Sequence, residues 1–250
     1  MNTPKLKVFS IHVAISATLM LILMSVMVLW WYPKGLFGIA GGWDGLKILL
    51  PIDMVLGPAL TFLFYKPGKK SAVFDLSAIA CVQLAALSYG IHAVYSQHPQ
   101  ALVLSEGALI TLTAKDAREA RLTLSEEKQI AKIPKQLDNN LPPVVVAEPF
   151  DRDEYGQYLA SIMNGGLELA HRAERYQDLK TGSETFQSAK LKDEALVNAV
   201  GDAVDENLDY YRLRSMYGNG VAAFDKKSAE LVRVLPMLAK PEAAALSKSD

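Results

Sequence analysis

The sequence has a single cysteine, Cys81, and almost no net charge, with 26 Lys and Arg against 27 Asp and Glu in 250 residues. One cysteine excludes an intramolecular disulfide framework and any zinc or iron–sulfur site built from several cysteines. The net charge of −1 argues against a nucleic-acid-binding protein with a strong overall field. The sequence also lacks a Gly-x-Ser-x-Gly motif, a phosphate loop and a Gly-x-Gly-x-x-Gly fingerprint. We therefore expect neither a catalytic residue nor a bound cofactor or metal.

Hydrophobic residues make up 50% of the chain, and three long apolar stretches fall within the first 95 residues. The first has no formally charged side chain, the second has Asp53 in its interior, and the third has Asp75 near its start. About 20 helical residues cover the roughly 30 Å hydrocarbon core, where the backbone must pair internally. We therefore predict three transmembrane helices, over about residues 9–32, 46–65 and 72–95.

The distribution of lysines predicts the orientation of these helices. Lys5 and Lys7 precede the first span, and Lys66–Lys70 between the second and third spans contains three lysines. The loop between the first two spans has Lys34 and Lys47. Because cytoplasmic loops carry the excess of positive charge, we expect the amino terminus and the Lys66–Lys70 turn in the cytoplasm. The chain after the third span would then be periplasmic in a Gram-negative cell.

The first span resembles a signal peptide in one respect. Gly38-Ile39-Ala40 fits the small-x-small pattern of a cleavage site. However, the apolar run is longer than the roughly 7–15 residues of a typical signal-peptide core. We therefore expect an uncleaved anchor.

The aspartate inside the second span is the main candidate functional residue. An ionised carboxylate in lipid is costly unless it is paired, so Asp53 is either a binding residue or a packing residue bonded to Gln83. Pro58 cannot donate a hydrogen bond to the Met54 carbonyl, which favours a kink. Gly57 allows another backbone to approach closely. We hypothesise that Asp53 pairs with a partner's amino-terminal amine or fixes the bundle that receives the partner.

Two further patterns concern the packing of the helices. His12 and Asp75 are each expected about four residues inside the cytoplasmic end of their helix, so we expect them to pair. Ser77, Cys81 and Ala85 form a row of small residues on the third span. Such rows allow close helix approach. The row fits packing against the protein's own first two spans or against a foreign transmembrane helix.

The rest of the chain predicts a mixed α+β domain, large enough for its own core. Glu168 and His171 have the Glu-x-x-His spacing of carboxylate–metal helices, but there is one copy, and an ordinary solvated helix face is the better interpretation. The expected strands cover two segments of 101–113 and then 144–147, 210–216, 221–224 and 230–235. The expected helices cover 114–121, 125–133, 151–163, 167–179 and 192–206, with a loop over 135–143.

Four segments together resemble a known protein family. They combine an acid, a Gly-Pro, Lys-Pro-Gly-Lys-Lys, Phe-Asp and a glutamine in an uncommon order, over Asp53–Thr61, Phe64–Lys70, Phe74–Leu76 and Gln83–Gly90. This combination resembles the TfpX/TfpZ family of type IV pilin accessory proteins. The resemblance implies an inner-membrane protein that helps a major pilin accumulate or assemble, and it implies no catalytic residue.

These observations give one overall expectation. The fold is a membrane-anchored α+β protein, with three transmembrane helices in residues 1–95, a periplasmic α+β domain in 96–240 and a flexible tail in 241–250. The expected partners are a type IV major pilin, the lipid bilayer and the pilus assembly machinery, with no nucleic acid. The candidate partner-binding residues are Asp53, Gly57, Pro58, Gln83 and Asp75. The alternatives are a membrane-bound enzyme that modifies pilin or an envelope glycan, and a sensor with an external ligand domain.

Overall fold

The computed structural model describes residues 3–66, 68–69, 71–116 and 141–237, and it contains three long apolar helices followed by a mixed sheet. Each of the three helices is long and apolar enough to cross a membrane. This arrangement confirms the predicted order of apolar helices and α/β structure. The first helix is α1 (Thr3–Val26), extended by a π-helical turn at Met27–Trp31, and the third is α5 (Ala72–Gln97).

The second apolar helix is built from three consecutive segments. They are α3 (Gly42–Leu50), a π-helical turn at Pro51–Leu56, and α4 (Gly57–Phe64). Pro58 lies in the first turn of α4 and has no N–H for the Met54 carbonyl, so a regular α-helical ladder cannot continue here. The irregularity that the sequence predicts at Pro58 therefore takes the form of a π-helical turn, which is a frequent feature of functional sites. Both α1 and α5 pack against α4 and this turn.

The segment between the first two helices is folded rather than extended. A 3₁₀ turn at Pro33–Gly35 leads into the short helix α2 (Leu36–Ile39). Gly41 has a φ of +92°, and a methyl group there would lie 2.5 Å from ring carbons of Tyr217 in the sheet domain. This loop is therefore a packed joint between the helices and the sheet.

Within the described residues, the strands are β1 (Pro99–Ser105), β2 (Ala108–Thr113), β3 (Val144–Ala147), β4 (Tyr176–Gln177), β5 (Leu208–Arg214), β6 (Asn219–Asp225) and β7 (Leu231–Pro236). They form one sheet in the order β4-β3-β1-β2-β5-β6-β7. The hairpin β1–β2 is antiparallel, β3 pairs parallel with β1, β5 pairs parallel with β2, and β5–β6–β7 form an antiparallel meander. The hairpin turn has Glu106 at φ 49° and Gly107 at φ 78°, as a type I′ turn requires.

Apolar side chains from both faces of the sheet are buried. Alternate residues of a strand face opposite sides of the sheet. On one side of β6, Ala222 and Phe224 belong to a cluster that includes Tyr32 and Leu36 of the helical part. Val221 and Ala223 belong to a second cluster under α8 (Asp193–Val200). A third cluster lies under α6 (Arg152–Met163), and α7 is Ser183–Ser188. The first of these clusters is thus shared by the apolar helices and the sheet, and the other two belong to the sheet domain.

Most of the predicted elements in the sheet domain are confirmed, and one helix is wrong. The hairpin over 101–113, strand 144–147, helix 151–163 and the three-strand meander are present. The helix expected over 167–179 is replaced by 3₁₀ turns at Leu169–His171 and Ala173–Arg175 and by β4. Here Tyr176 pairs with Ala147 at the sheet edge and donates a hydrogen bond to the Ala170 carbonyl, so sheet pairing overrides local helix propensity.

The remaining differences are one helix of different extent and one helix that was not expected. The helix expected over 192–206 ends as α8 at Val200, followed by a 3₁₀ turn at Gly201–Ala203 with Gly201 at φ 58°. Helix α7 has no counterpart among the predicted elements. The predicted helix over 125–133, most of helix 114–121, most of loop 135–143 and the tail over 241–250 lie outside the described residues.

Candidate functional site: a polar network beneath an apolar groove

Asp53 lies in the π-helical turn and is almost completely buried, with 2% of its surface exposed. Its Oδ1 accepts a hydrogen bond of 2.8 Å from Nε2 of Gln83 on α5. The same amide nitrogen lies 3.4 Å from the Asp53 carbonyl oxygen. The structure thus brings together two of the predicted site residues from separate helices.

Gln83 connects Asp53 to α1 and α4 through His12. Because the Gln83 amide nitrogen faces Asp53, its Oε1 faces His12 Nε2 at 2.9 Å and must accept a hydrogen bond from it. His12 Nδ1 is then the acceptor for the Thr61 hydroxyl at 2.6 Å. The Gln83 amide also lies 3.5 Å from the buried Ser16 hydroxyl. We call His12, Ser16, Asp53, Thr61 and Gln83 the polar network.

Gly57 and Pro58 shape the space that the polar network occupies. A methyl group on Gly57 would lie 2.2 Å from Gln83 Nε2, so any larger residue would displace the amide that reaches Asp53. Gly57 and Pro58 are both buried in the first turn of α4, directly after the π-helical turn. Four of the five predicted site residues therefore lie at one place.

Asp75, the fifth predicted site residue, has a different partner. Its carboxylate forms a 2.5 Å ion pair with Lys69 at the start of α5. The predicted pairing of His12 with Asp75 is wrong, because the His12 ring bonds to Thr61 and Gln83. Sequence reasoning also left Ser16 and Thr61 out of the site. The i, i+4 spacing of His12 and Ser16 places both on one helix face and was the available signal.

An apolar groove runs between α1 and α5 and has Asp53 in its lining. One cavity of about 320 Å³ is lined by α1 from Val8 and by α5 from Leu76, and it includes His12 and Gln83. A second cavity of about 210 Å³ continues to Val26 and Ile91. Asp53, Leu19 and Leu87 line both cavities. We call the two cavities together the groove.

The second carboxylate oxygen of Asp53 is unsatisfied. Oδ2 is buried and has no hydrogen-bond partner among the residues that the structure describes. A buried polar atom left without a partner costs about 1–3 kcal/mol, and more when it is charged. The groove therefore has apolar walls and one unused hydrogen-bond acceptor.

A separate cavity of about 360 Å³ lies in the sheet domain, between α6 and the β1–β2 turn. Its lining combines apolar side chains such as Ile110 with the charged Glu106, Glu168 and Arg214. His171 lies in the 3₁₀ turn, so Glu168 and His171 do not share an α-helix face. Within the described part of the chain, no group of three or more His, Cys, Asp or Glu is placed to hold a metal.

The relatives found by comparison with known proteins share the name fimbrial assembly protein. Fimbrial assembly proteins of Dichelobacter nodosus from serogroup I, serogroups C1 and C2, and serogroup E1 are each 31% identical to this chain over 112 residues, or 44% of its length. The matched part covers 86% of the protein from serogroups C1 and C2, but 44% of the other two. No family model and no solved structure matches the chain. On the strength of the relative that is matched over most of its length, the chain belongs to the family of the fimbrial assembly proteins.

Proposed function

We propose that the protein is an inner-membrane accessory factor for type IV pilus biogenesis that binds its cognate major pilin without catalysis. The names of its relatives support a role in fimbrial assembly. The observation that carries the binding proposal is the groove between α1 and α5, whose lining includes Asp53 with its unsatisfied carboxylate oxygen. The family proposed is the TfpX/TfpZ group of pilin accessory proteins.

The distribution of apolar surface supports a membrane location. Large apolar side chains cover the outside of the helices, including Leu21 at 66% exposure and Phe74 at 75%. Hydrocarbon is the solvent in which such surfaces are stable. With lysines at the α4–α5 turn, the proposed orientation has the amino terminus in the cytoplasm and the sheet domain in the periplasm.

The proposed action is to hold a pilin subunit before it joins the fibre. A subunit waiting in the bilayer exposes an apolar helix, and helix-in-groove binding gives that helix a protein surface to pack against. Asp53 would accept a hydrogen bond from the subunit, with Gln83, Gly57 and Pro58 as positioning residues. Leu76 lines the groove, and the neighbouring Asp75 would contact the side of the same bound helix.

The sheet domain would contact the part of the subunit outside the membrane. Its 360 Å³ cavity combines apolar and charged groups, which suits a protein loop with one apolar anchor. The joint at Gly41 and Tyr217 fixes this domain relative to the groove. The protein would thus bind one subunit both within the membrane, in the groove, and outside the membrane, at the sheet domain.

Piliation of cells that carry Asp53→Asn tests the function. We expect fewer surface pili at unchanged abundance of the variant protein. Asp44→Asn is the matched control, because Asp44 is exposed, pairs with Lys47 and lies in neither half of the groove. Normal pili and normal pilin levels in the Asp53 variant would contradict the proposal. Pilin from a deletion strain should keep its mass, whereas a missing modification would favour the enzyme alternative.

A further inference from the structure

The groove continues on both sides of Asp53. On α1 its lining runs from Val8 to Val26, which is about 27 Å of helix at 1.5 Å per residue. This length is close to the roughly 30 Å thickness of a hydrocarbon core. Asp53 lies where the two cavities meet, so it faces the interior of the groove rather than either end.

The walls of the groove are two helix faces held apart by the second helix. The α5 residues that line it, such as Leu76, Ala80 and Leu87, recur at helical spacing. Few of the residues in the apolar stretch of α5 are buried, about 6%, so α5 has little packing of its own. Two parallel apolar walls of this length fit one further α-helix, because a helix buries a stripe of residues at i, i+3, i+4 and i+7.

In the part of the chain that the structure describes, only one of the two carboxylate oxygens of Asp53 on the groove floor has a hydrogen-bond donor. Oδ1 of Asp53 accepts the Gln83 amide, and the Ser16 and Thr61 hydroxyls lie with His12 and Gln83 in the polar network. Oδ2 has no donor within the described residues. Without an occupant, this oxygen is already buried and unpaired by any described side chain. An occupant that is apolar throughout would leave it so, whereas an occupant with a donor at that depth would satisfy it.

We propose that the groove binds a single apolar helix of a partner subunit that passes Asp53 and donates a hydrogen bond to Oδ2 from a side chain within the helix. This inference rests on the proposed function and specifies the bound segment. An amino-terminal amine at Asp53 would place the start of the helix midway and leave one half of the groove empty. A side-chain donor lets one continuous helix fill both halves.

Photo-crosslinking in native membranes tests the path of the helix. A photoreactive residue replaces Ile11 in one half of the groove or Ile22 in the other, in the full-length chain. We expect both positions to capture the same partner helix, at sites about 11 residues apart, since the two probes are separated by that much helix. Val82 is the control, because it is 62% exposed and lines neither cavity. A photoreactive residue at position 82 should give a yield of crosslinks to that helix that is at least about tenfold lower.

The outcomes of this experiment separate the possible occupants. Capture at Ile22 or Ile11 alone, with the adduct at the partner's first residues, would overturn this inference in favour of an amine while leaving the proposed function intact. Adducts to a second copy of this chain would overturn it in favour of self-association. Capture at both positions of a helix from a protein that is not a fimbrial subunit would support this inference and contradict the proposed function.

Asp53→Asn in the crosslinking strain tests the hydrogen bond. The asparagine keeps one acceptor for Gln83 but replaces Oδ2 with an N–H donor, so two donors would face each other. We expect crosslinking at both positions to fall at least about tenfold, in the range for a buried hydrogen-bonding group that loses its partner. Replacing the donor residue mapped on the partner by one that accepts should restore it. Unchanged yields in the Asp53 variant would overturn the inference.

Discussion

The helical part and the sheet domain differ in what they bury: the sheet domain buries mainly apolar side chains, and the helices bury a polar network. The sheet domain buries apolar side chains on both faces of one sheet, where Phe186 stacks on Tyr211 and both rings meet Phe224 edge to face. The three apolar helices leave most of their surface outside and concentrate five polar residues in one network around Gln83. The sheet domain thus packs its apolar side chains into clusters and has a cavity of mixed polar and apolar lining, whereas the helices line an apolar groove that contains the unsatisfied Asp53 oxygen. The groove of the helices is therefore better suited to an apolar partner segment.

Truncating one aromatic residue of the sheet domain should give the largest effect. Phe224 is 1% exposed, and Phe224→Ala removes a full ring from the core that the sheet shares with the helices. We expect the free energy of unfolding to fall by about 4 kcal/mol. Chemical unfolding of the purified protein in lipid nanodiscs, followed by circular dichroism, measures it.

The matched change in the helical part is Leu21→Ala. Leu21 is 66% exposed and would face hydrocarbon before and after the substitution, so we expect a change below about 0.5 kcal/mol. Equal losses for Phe224→Ala and Leu21→Ala would break the contrast between the two parts. They would show that the outer face of α1 packs against protein.

The joint between the two parts should be the next most sensitive place. Gly41 has a left-handed backbone and lies against the Tyr217 ring, so Gly41→Ala combines backbone strain with a steric clash. We expect a loss of about 3 kcal/mol in the same unfolding experiment. Gly38→Ala is the control, because nothing lies within 4 Å of a methyl group added there. A loss as large for Gly38→Ala would mean that the loop is sensitive for a reason other than this joint.

Within the helical part, Gly57→Ala tests the polar network. The added methyl would force Gln83 away from Asp53, and we expect a loss of about 2 kcal/mol from the broken hydrogen bonds. In a Gln83→Ala background the same substitution has no amide to displace. The cost should therefore shrink to below about 0.5 kcal/mol in a double-mutant cycle. Additive losses would show that Gly57 does not act through Gln83.

The sequence predicted local structure better than the contacts between helices. The apolar runs predict all three helices, and the two apolar segments within 101–113 predict the strands of the β1–β2 hairpin, because these signals act within a few residues. The bond between Asp53 and Gln83 was one of two interpretations, and the structure contains it. The partners of His12 depend on how α1 is rotated against α4 and α5, which no local pattern specifies. Tyr176 is the same kind of case, because its strand exists through pairing with a distant segment.

A histidine at the boundary between the two parts should give the smallest effect, through pH. His98 is 5% exposed at the end of α5, and burial lowers its pKa, partly offset by its hydrogen bond to the Tyr95 carbonyl. The unfolded chain then binds a proton more readily than the folded one. Stability should therefore fall as the pH drops below about 6.5, the usual value for histidine.

This pH effect can be isolated from that of the other histidines by comparison with His98→Gln. Glutamine keeps hydrogen-bonding groups near Gln100 but does not titrate. We expect the melting temperature of the wild type to decline more between pH 7 and pH 5 than that of the variant. The corresponding difference in the free energy of unfolding should be no more than about 1 kcal/mol. Parallel pH profiles would mean that His98 is protonated equally in both states. The end of α5 would then owe its stability to the packing of His98 against Trp31 and Tyr95, without a contribution from its protonation state.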